Sequence, residues 1–206
     1  MTTIYLMRHS KPIKVNHEFD KDSLQLQNEK KCLSIEGEEI ALQKLSNSEF
    51  DDIDIIYSSN YVRTIETAKY LAERKKLDIN VVSDLGERKF GIHSQDELPN
   101  GFERKQLLDE DYKIGDGESQ KEVRDRMYNA LINILNDNKD KNILIVSHAT
   151  AISYLLKKWC DIKIEDEKMK YTFKDKVLLH GYFNYCETFK LEFVGDDLVS
   201  IENVSL

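Results

Sequence analysis

The stretch Thr3–Pro12, TIYLMRHSKP, predicts both a strand and the place where chemistry occurs. The apolar run Ile4–Met7 has the length of a buried strand. It stops abruptly at the polar sequence RHSK, residues 8–11, an ending that a strand does not need. These residues are therefore either ordinary loop surface or the edge of a functional site, and the rest of the chain has to decide between the two.

The size and charge of the chain limit its function classes. A length of 206 residues predicts a single domain spanning residues 1–206. Thirty basic residues against 38 acidic ones give a formal net charge of −8, which argues against binding to nucleic acid or to a membrane surface. We expect a cytoplasmic protein, because the sequence has neither a membrane-span run nor a signal-peptide pattern. The oligomeric state is not predicted.

The cysteines predict neither a disulfide framework nor a metal site. They are Cys32, Cys160 and Cys186, an odd number without metal-like spacing. We expect them to be reduced thiols.

Apolar runs of strand length alternate with longer segments of helical period. The predicted strands are Ile4–Met7, Ile53–Tyr57, Ile79–Val82 and Ile143–Val146. Ser34, the pair Ser58-Ser59 and Ser119 are the predicted helix N-caps, and Ser119 forms a capping-box pattern with Glu122. The predicted buried helix faces include Ile40, Leu42 and Leu45 in the first helix, Ile65, Ala68, Leu71 and Ala72 in the second, Val123, Met127, Ala130, Leu131, Ile134 and Leu135 in the third, and Ile152, Leu155, Leu156 and Trp159 in the fourth.

This alternation predicts an α/β fold, a three-layer α/β/α sandwich with a mostly parallel central sheet. The β-rich sequence around VGDD, residues 194–197, predicts a terminal hairpin. The segments 12–32 and 88–118 are charged and lack a clear period. They are predicted to be lids or insertions within the same domain.

Charged and polar residues follow each predicted strand. Ligands of open parallel sheets bind beyond the carboxyl ends of the strands, so these residues are expected at one edge. The groups are Arg8-His9, Ser58-Ser59 with Arg63, Asp84–Glu87 and Ser147–Thr150. Together they bring two arginines, two histidines and a carboxylic acid to the site.

Phosphoryl transfer is the chemistry that this set supports without a metal ion. Arginine forks pair with phosphate oxygens, a cationic His148 adds charge, and helix N-termini after Ser59 and Thr150 supply backbone donors. A neutral His9, with one ring nitrogen fixed by a backbone carbonyl, presents the other nitrogen as a nucleophile. Glu87 protonates the leaving oxygen and later takes a proton from water.

Each of these residues also has an ordinary structural explanation. Arg8 and Arg63 alone are typical of surface charge, Glu87 lies in a charged stretch, and His148 is compatible with a buried core histidine. The joint placement of all of them at strand ends favours the functional interpretation.

The order of the motifs resembles the histidine phosphatase superfamily, in its phosphoglycerate-mutase-like branch 1. The similar segments cover nearly the whole chain. They are LMRHS at 6–10, LSIEG at 33–37, YSSNYVRTIETA at 57–68, LGERKFG at 85–91, GES at 117–119 and VSH at 146–148.

The resemblance implies a phosphoglycerate mutase-like fold and a role for each core residue. His9 would be phosphorylated, Arg8, Arg63 and His148 would bind phosphate, and Glu87 would be the proton donor. The implied enzyme is a phosphomonoester hydrolase acting without metal or cofactor on a small phosphorylated metabolite or a phosphoprotein.

Four positions depart from the family pattern. Ser10, Pro12, Val15 and Ala149 stand where other residues are usual, and they put the outer phosphate contacts in question. Ala149 and Asn16 are the predicted outer phosphate-binding residues, with Asn16 substituting for a family asparagine one position earlier.

Three questions remain open at this stage. A cofactor-dependent phosphoglycerate mutase is one alternative, because Glu87-Arg88 resembles the mutase form of the acid motif. A non-catalytic protein of the same fold that binds a phosphorylated ligand is another. In the lid segments, Lys11, Lys14, Arg88 and Lys89 either meet a second anionic group of the substrate or form a solvated charge run.

Overall fold

The computed structural model describes residues 1–204, which form a central six-stranded sheet, a separate three-stranded sheet and six α-helices. The strands are β1 Thr2–Arg8, β2 Ile55–Ser58, β3 Ile79–Val81, β4 Asn142–Ser147, β5 Asp161–Glu165, β6 Lys168–Phe173, β7 Lys176–His180, β8 Thr188–Val194 and β9 Asp197–Val204. The helices are α1 Leu24–Glu29, α2 Ile35–Leu45, α3 Val62–Lys75, α4 Phe102–Leu108, α5 Gln120–Asp137 and α6 Ala149–Leu156.

The central sheet has the strand order β3-β2-β4-β1-β8-β9. Its first four strands are mutually parallel, and β8 and β9 extend it with antiparallel pairing. The prediction of a mostly parallel sheet is confirmed. The predicted terminal hairpin is β8–β9, which turns at residues 194–197.

Two hydrophobic clusters cover the two faces of this sheet. Along β1, Ile4 and Leu6 pack with α5 and α6, whereas Tyr5 and Met7 pack with α2 and α3. This alternation follows from the period of two in a strand, which sends successive side chains to opposite faces. The predicted three-layer sandwich is therefore confirmed, with every strand residue from Ile4 to Met7 buried.

The helix caps agree with prediction at two of the three sites. Ser34 accepts a hydrogen bond from Gly37 N, and Ser119 and Glu122 form the reciprocal capping box. The prediction for Ser59 is wrong, because α3 begins at Val62 with Tyr61 as its N-cap.

Two predicted helix positions also differ from the structure. Leu42 is 52% exposed, so it does not belong to the buried face of α2. Helix α6 ends at Leu156, and Trp159 lies after it, partly buried against the first hydrophobic cluster.

Residues 161–180 form an antiparallel sheet that the sequence did not predict. In the order β5-β6-β7, this sheet packs Tyr171, Phe173 and Leu178 against the first hydrophobic cluster. Both of its hairpin turns place two consecutive non-glycine residues at positive φ, Asp166-Glu167 and Lys174-Asp175. Their conformation is that of type I′ turns, but glycine and asparagine, the usual signals of such turns, are missing.

Cys32, Cys160 and Cys186 are free thiols, as predicted. Among residues 1–204, no helix combines the length and the apolar character needed to cross a membrane.

Candidate active site

The register of the parallel strands brings the two motif histidines together. Arg8 pairs with Ser147 across β1 and β4, so His9 and His148 follow at equivalent positions on neighbouring strands. Their ring centroids are 5.2 Å apart. Both side chains are buried, with exposures of 6% for His9 and 0% for His148. The predicted meeting of these strand ends is thus observed.

Hydrogen bonds fix the orientation of the His9 ring. Nδ1 lies 2.6 Å from the carbonyl oxygen of Ser10, an arrangement in which Nδ1 carries the proton and donates it. Nε2 then has a free lone pair and accepts a hydrogen bond from Arg63 Nε at 3.1 Å. This is the tautomer that the proposed nucleophile requires, with Nε2 directed toward a guanidinium group.

Arg63 joins the two histidines. Its Nη2 lies 3.1 Å from His148 Nδ1, and its Nη1 donates to the carbonyl oxygen of Asn28. Because arginine can only donate, His148 Nδ1 is the acceptor and its Nε2 carries the proton, which it donates to Ser59 Oγ at 2.8 Å. Tyr61 packs against His148 with ring centroids 4.5 Å apart and lies under the Arg63 guanidinium group.

The electrostatic environment keeps both histidines neutral. Burial, followed by the charge of Arg63, lowers the pKa of His9 well below its ordinary value. The pKa of His148 is lowered well below its ordinary value by the same two causes, burial first. Without a bound anion, this pKa direction favours a neutral His148, whereas the sequence analysis expected a cationic one. The positive charge of the site resides on the arginines.

Arg8 contributes a second guanidinium group at the end of β1. One of its terminal nitrogens donates to the Phe183 carbonyl oxygen, and its guanidinium carbon lies 4.6 Å from the centroid of the Tyr185 ring. Its Nε is buried without a hydrogen-bond partner among the described residues. Burial lowers the pKa of Arg8 from its ordinary value. An unpaired buried N–H of this kind is available to an anionic ligand.

Glu87 is held at the N-terminus of α6, next to His148. Its Oε1 accepts hydrogen bonds from the backbone N–H groups of Arg88 at 2.9 Å and Ala151 at 3.0 Å. Its Oε2 accepts from Thr150 N at 3.3 Å. The carboxylate thus lies at the positive end of a helix that begins directly after His148.

An ion pair that the sequence analysis did not predict fixes the loop that carries Glu87. Arg126 on α5 forms a bidentate pair with Glu118, at 2.6 and 2.9 Å. The same guanidinium group donates to the carbonyl oxygens of Asp84, Gly86 and Glu87 at 2.7, 3.0 and 3.1 Å. The family motif at 117–119 is thereby connected to the acid motif. Glu118 lies in the motif GES at 117–119, whereas Arg126 lies in none of the motifs that carry the resemblance.

Further polar contacts position the loop after His9. Thr67 on α3 accepts a hydrogen bond from Ser10 N at 2.9 Å. Ser10 is fully buried, and its Oγ donates to the Gly37 carbonyl oxygen at 2.6 Å. The serine that replaces the family glycine is thus accommodated by a hydrogen bond to α2.

The predicted outer contacts are distributed differently. Asn16 is exposed and accepts a hydrogen bond from Glu18 N, so the structure does not bring it to the histidines, and its phosphate-binding role stays a prediction. Ala149, the first residue of α6, does lie beside His148.

Arg88 is buried, so it fits neither of the two alternatives left open by the sequence, contact with a second anionic group or a solvated charge run. It is 2% exposed and forms a bidentate pair with Glu103, with both distances 2.8 Å. Its guanidinium carbon lies 4.5 Å from the centroid of the Phe90 ring and 5.0 Å from that of the Phe102 ring. Of the lysines proposed with it, Lys11 pairs with Glu36.

Both predicted lid segments reach the site. In segment 12–32, Gln25 donates to Tyr61 Oη at 2.8 Å, and the Asn28 carbonyl oxygen accepts from Arg63. In segment 88–118, Glu103 and Arg104 line a cavity of about 600 Å³ that begins at Arg8 and Ala149.

Comparison with known protein families shows which family this chain belongs to. The model of the histidine phosphatase superfamily, branch 1, matches residues 4–173. The chain belongs to this superfamily. The resemblance inferred from the motif order is confirmed.

Curated relatives include the probable phosphoglycerate mutase GpmB of Salmonella arizonae, 31% identical over 131 residues. That match covers 60% of this chain and 61% of the relative, so the chain spans less than two thirds of the curated relatives it matches.

Solved structures show the same fold. YhfR of Bacillus stearothermophilus superimposes with a TM-score of 0.72 at 23% identity, covering 97% of this chain and 95% of that one. A mycobacterial glucosyl-3-phosphoglycerate phosphatase gives 0.70 at 17% identity, covering 99% and 98%. The phosphoserine phosphatase of Entamoeba histolytica gives 0.65 at 19% identity, covering 98% and 97%.

Proposed function

We propose that the protein is a phosphomonoester hydrolase that forms a phosphohistidine on His9. The observation that carries this proposal is the His9 ring itself, which is fixed through Nδ1 by the Ser10 carbonyl oxygen and presents Nε2 to the Arg63 guanidinium group, and whose pKa is lowered by burial. A neutral imidazole nitrogen with a fixed lone pair is an effective nucleophile toward phosphorus.

In the first half-reaction, the Nε2 lone pair leaves the Arg63 N–H and attacks phosphorus. The N–P bond forms while the bond to the ester oxygen breaks, and Glu87 gives its proton to the departing alkoxide. Arg63 Nε–H and the unpaired Arg8 Nε–H then donate hydrogen bonds to the phosphoryl oxygens. Charge stabilisation of this type is commonly the largest contribution to catalysis.

In the second half-reaction, water attacks the phosphohistidine. Glu87 takes the proton from water as the oxygen bonds to phosphorus, the N–P bond breaks, and His9 returns to its neutral form. Inorganic phosphate leaves, and Glu87 is again protonated for the next cycle.

The Arg63–His148 contact and the Ser59 hydroxyl support a positioning role for His148. With Nδ1 facing Arg63 and Nε2–H facing Ser59, the ring orients the arginine beside the nucleophile. Binding of a phosphoryl dianion would favour protonation of this histidine, because an opposite charge nearby stabilises the charged form.

A phosphoglycerate mutase is the second candidate, favoured by curated relatives that are probable phosphoglycerate mutases. The sequence argument for a mutase was the resemblance of Glu87-Arg88 to the mutase form of the acid motif. Arg88 is buried and paired with Glu103, so it is not exposed to a substrate. Interconversion of 2- and 3-phosphoglycerate, with 2,3-bisphosphoglycerate added, tests the mutase directly.

The decisive experiment is a quench without acid, followed by mass spectrometry of the protein during turnover of p-nitrophenyl phosphate in the presence of a chelator. We expect the phosphoryl label on His9 and its loss in His9→Ala. The matched control His93→Ala, at an exposed histidine, should retain the label. A label on serine, or loss of turnover with chelator, would contradict the mechanism. Absence of both label and turnover with every phosphate ester would favour the non-catalytic alternative.

A further inference from the structure

A cavity of about 600 Å³ extends away from the phosphate-binding end of the site. It begins at Arg8, Ala149 and Thr150, the last of which donates its backbone N–H to Glu87. If the phosphoryl group lies between His9 and the arginines, the organic part of the ester enters this space. The residues that line the cavity would therefore contact the organic part of the substrate, an inference that rests on the proposed function.

The unpredicted β5–β7 sheet and the loop after it supply an apolar wall. Ile164 and Met169 come from β5 and β6, and Tyr182 and Phe183 follow β7. Leu107 on α4 lies on the lid side. Side chains of this kind favour an apolar ligand, because burial of apolar surface is the main source of favourable binding energy.

Most hydroxyl groups around the cavity already have partners in the protein. Ser153 and Tyr171 are hydrogen-bonded to each other at 2.9 Å. Tyr154 Oη donates to Gln106 Oε1 at 3.0 Å, and Tyr182 Oη donates to the Glu167 carbonyl oxygen at 3.3 Å. Among the described lining residues, Thr150 retains a side-chain hydroxyl without such a partner. A polyol bound here would find few unpaired hydroxyl partners in the lining and would replace only part of its hydrogen bonds to water.

The charges around the cavity do not favour a second anionic group. Glu103 is neutralised by its bidentate pair with the buried Arg88. Arg104 and Glu167 add one charge of each sign to the lining. The cavity therefore distinguishes ligands by apolar surface and not by net charge.

We propose that the natural substrate is a phosphomonoester of an apolar alcohol, and that the cavity wall formed by Ile164, Met169, Tyr182 and Phe183 binds its hydrocarbon part. Sugar phosphates and phosphoglycerates are the disfavoured class. The wall is contributed by the three-stranded sheet and the loop after it, so these two segments determine specificity without contacting the reacting atoms.

The first test compares kcat/KM of the native protein for three alkyl phosphates. Ethyl and n-hexyl phosphate have alcohols of similar acidity, so their ratio reports binding of the chain. We expect at least a tenfold preference for n-hexyl phosphate, about 1.4 kcal/mol. Sorbitol 6-phosphate, whose carbon chain has the same length, should be hydrolysed at least tenfold less efficiently than n-hexyl phosphate, although its alcohol is the better leaving group.

The second test assigns the preference to the wall. Met169→Ser should reduce kcat/KM for n-hexyl phosphate at least fivefold and change that for ethyl phosphate less than twofold. The control Val177→Ser replaces an exposed apolar residue of the same sheet outside this cavity and should change neither value.

The outcomes separate the two proposals. Equal efficiency with all three esters, or a preference for sorbitol 6-phosphate, overturns the substrate class while leaving the hydrolase intact. No hydrolysis of any ester, including p-nitrophenyl phosphate, overturns the proposed function. A hexyl preference that survives in folded Met169→Ser and in Ile164→Ser shows that the wall does not provide it. The chain-length comparison requires no variant, so it remains decisive if a substitution prevents folding.

Discussion

Replacement of Arg126 by methionine should separate the positioning of Glu87 from the chemistry that it performs. The substitution keeps an unbranched side chain on α5 but removes the bidentate pair with Glu118. It also removes the donors to three carbonyl oxygens of the loop, those of Asp84, Gly86 and Glu87. The loop would then be free to shift away from the N-terminus of α6.

The expected loss of stability follows from the burial of this pair. The side chains of Arg126 and Glu118 are 18% and 15% exposed, so removal of one partner leaves a largely buried carboxylate without its cation. Breaking a buried pair costs about 3–5 kcal/mol, and the residual exposure places the expected change at about 3 kcal/mol. Arg124→Met is the control, since its partner Glu110 is 47% exposed and such surface pairs contribute about 1 kcal/mol or less.

The assay combines chemical denaturation with kcat for an alkyl phosphate and for p-nitrophenyl phosphate. Displacement of a positioned group commonly costs ten- to a hundredfold in rate, about 1.4–2.7 kcal/mol. We expect this loss for the alkyl phosphate, whose alkoxide needs a proton, and a much smaller loss for the aryl phosphate, which leaves almost unaided. Glu87→Gln should show the same dependence on the leaving group.

Two results would refute this reasoning. An equal loss with both substrates in folded Arg126→Met would show that the Arg126–Glu118 pair does not act through the proton donor. An unchanged kcat together with the expected loss of stability would make the Arg126–Glu118 pair purely structural. A control Arg124→Met with the same kinetic defect would point to a general effect of changing α5.

Three further expectations concern the two histidines and the contact of Gly37 with the loop after His9. Ser59→Ala should lower kcat about tenfold, with little change in p-nitrophenyl phosphate KM, because it removes the acceptor of the His148 Nε2 proton; an unaltered kcat would argue against the role of this contact. Because burial lowers the pKa of both His9 and His148 below 6.5, the unfolded chain takes up more protons as pH falls below about 6.5, so stability should decrease there on acidification, and His148→Gln should flatten that decrease in denaturation curves; an unchanged slope would mean that this histidine is not held neutral. Gly37→Ala should destabilise the protein by more than about 2 kcal/mol in denaturation experiments, although alanine normally favours a helix, because its Cβ would lie 2.0 Å from the Lys11 carbonyl oxygen; wild-type stability would show that the loop can move aside.

The central sheet and the core of the site could be predicted from sequence because their signals are local. Continuous apolar runs mark strands buried on both faces, and in a parallel sheet the residues after those runs necessarily meet at one edge. His9, Arg63 and His148 were located in this way, and the structure places them in direct contact.

The remaining features depend on tertiary contacts that no local pattern records. Ser59 has a good capping side chain, but its hydroxyl is engaged by His148 and Thr64, so α3 begins later. Arg88 lies in a charged stretch typical of solvent exposure, yet two aromatic rings and Glu103 bury it. The three-stranded sheet was missed because its tight turns use residues such as Asp166 and Lys174 at positive φ.

The charges around His9 support an anionic ligand over a neutral one. Arg63 uses its three groups of donors on acceptors that carry no formal charge, namely His9 Nε2, His148 Nδ1 and the Asn28 carbonyl oxygen. Arg8 likewise donates to a carbonyl oxygen and packs on a tyrosine ring. Burial lowers the pKa of both arginines, so each would gain from an anionic partner that replaces lost hydration. The charge of Glu87 raises the pKa of both arginines. Its carboxylate oxygens accept hydrogen bonds from the backbone N–H groups of Arg88, Thr150 and Ala151. Two buried cations whose hydrogen-bond acceptors carry no formal charge leave positive charge beside the nucleophile, and a phosphoryl anion is the kind of ligand that would balance it.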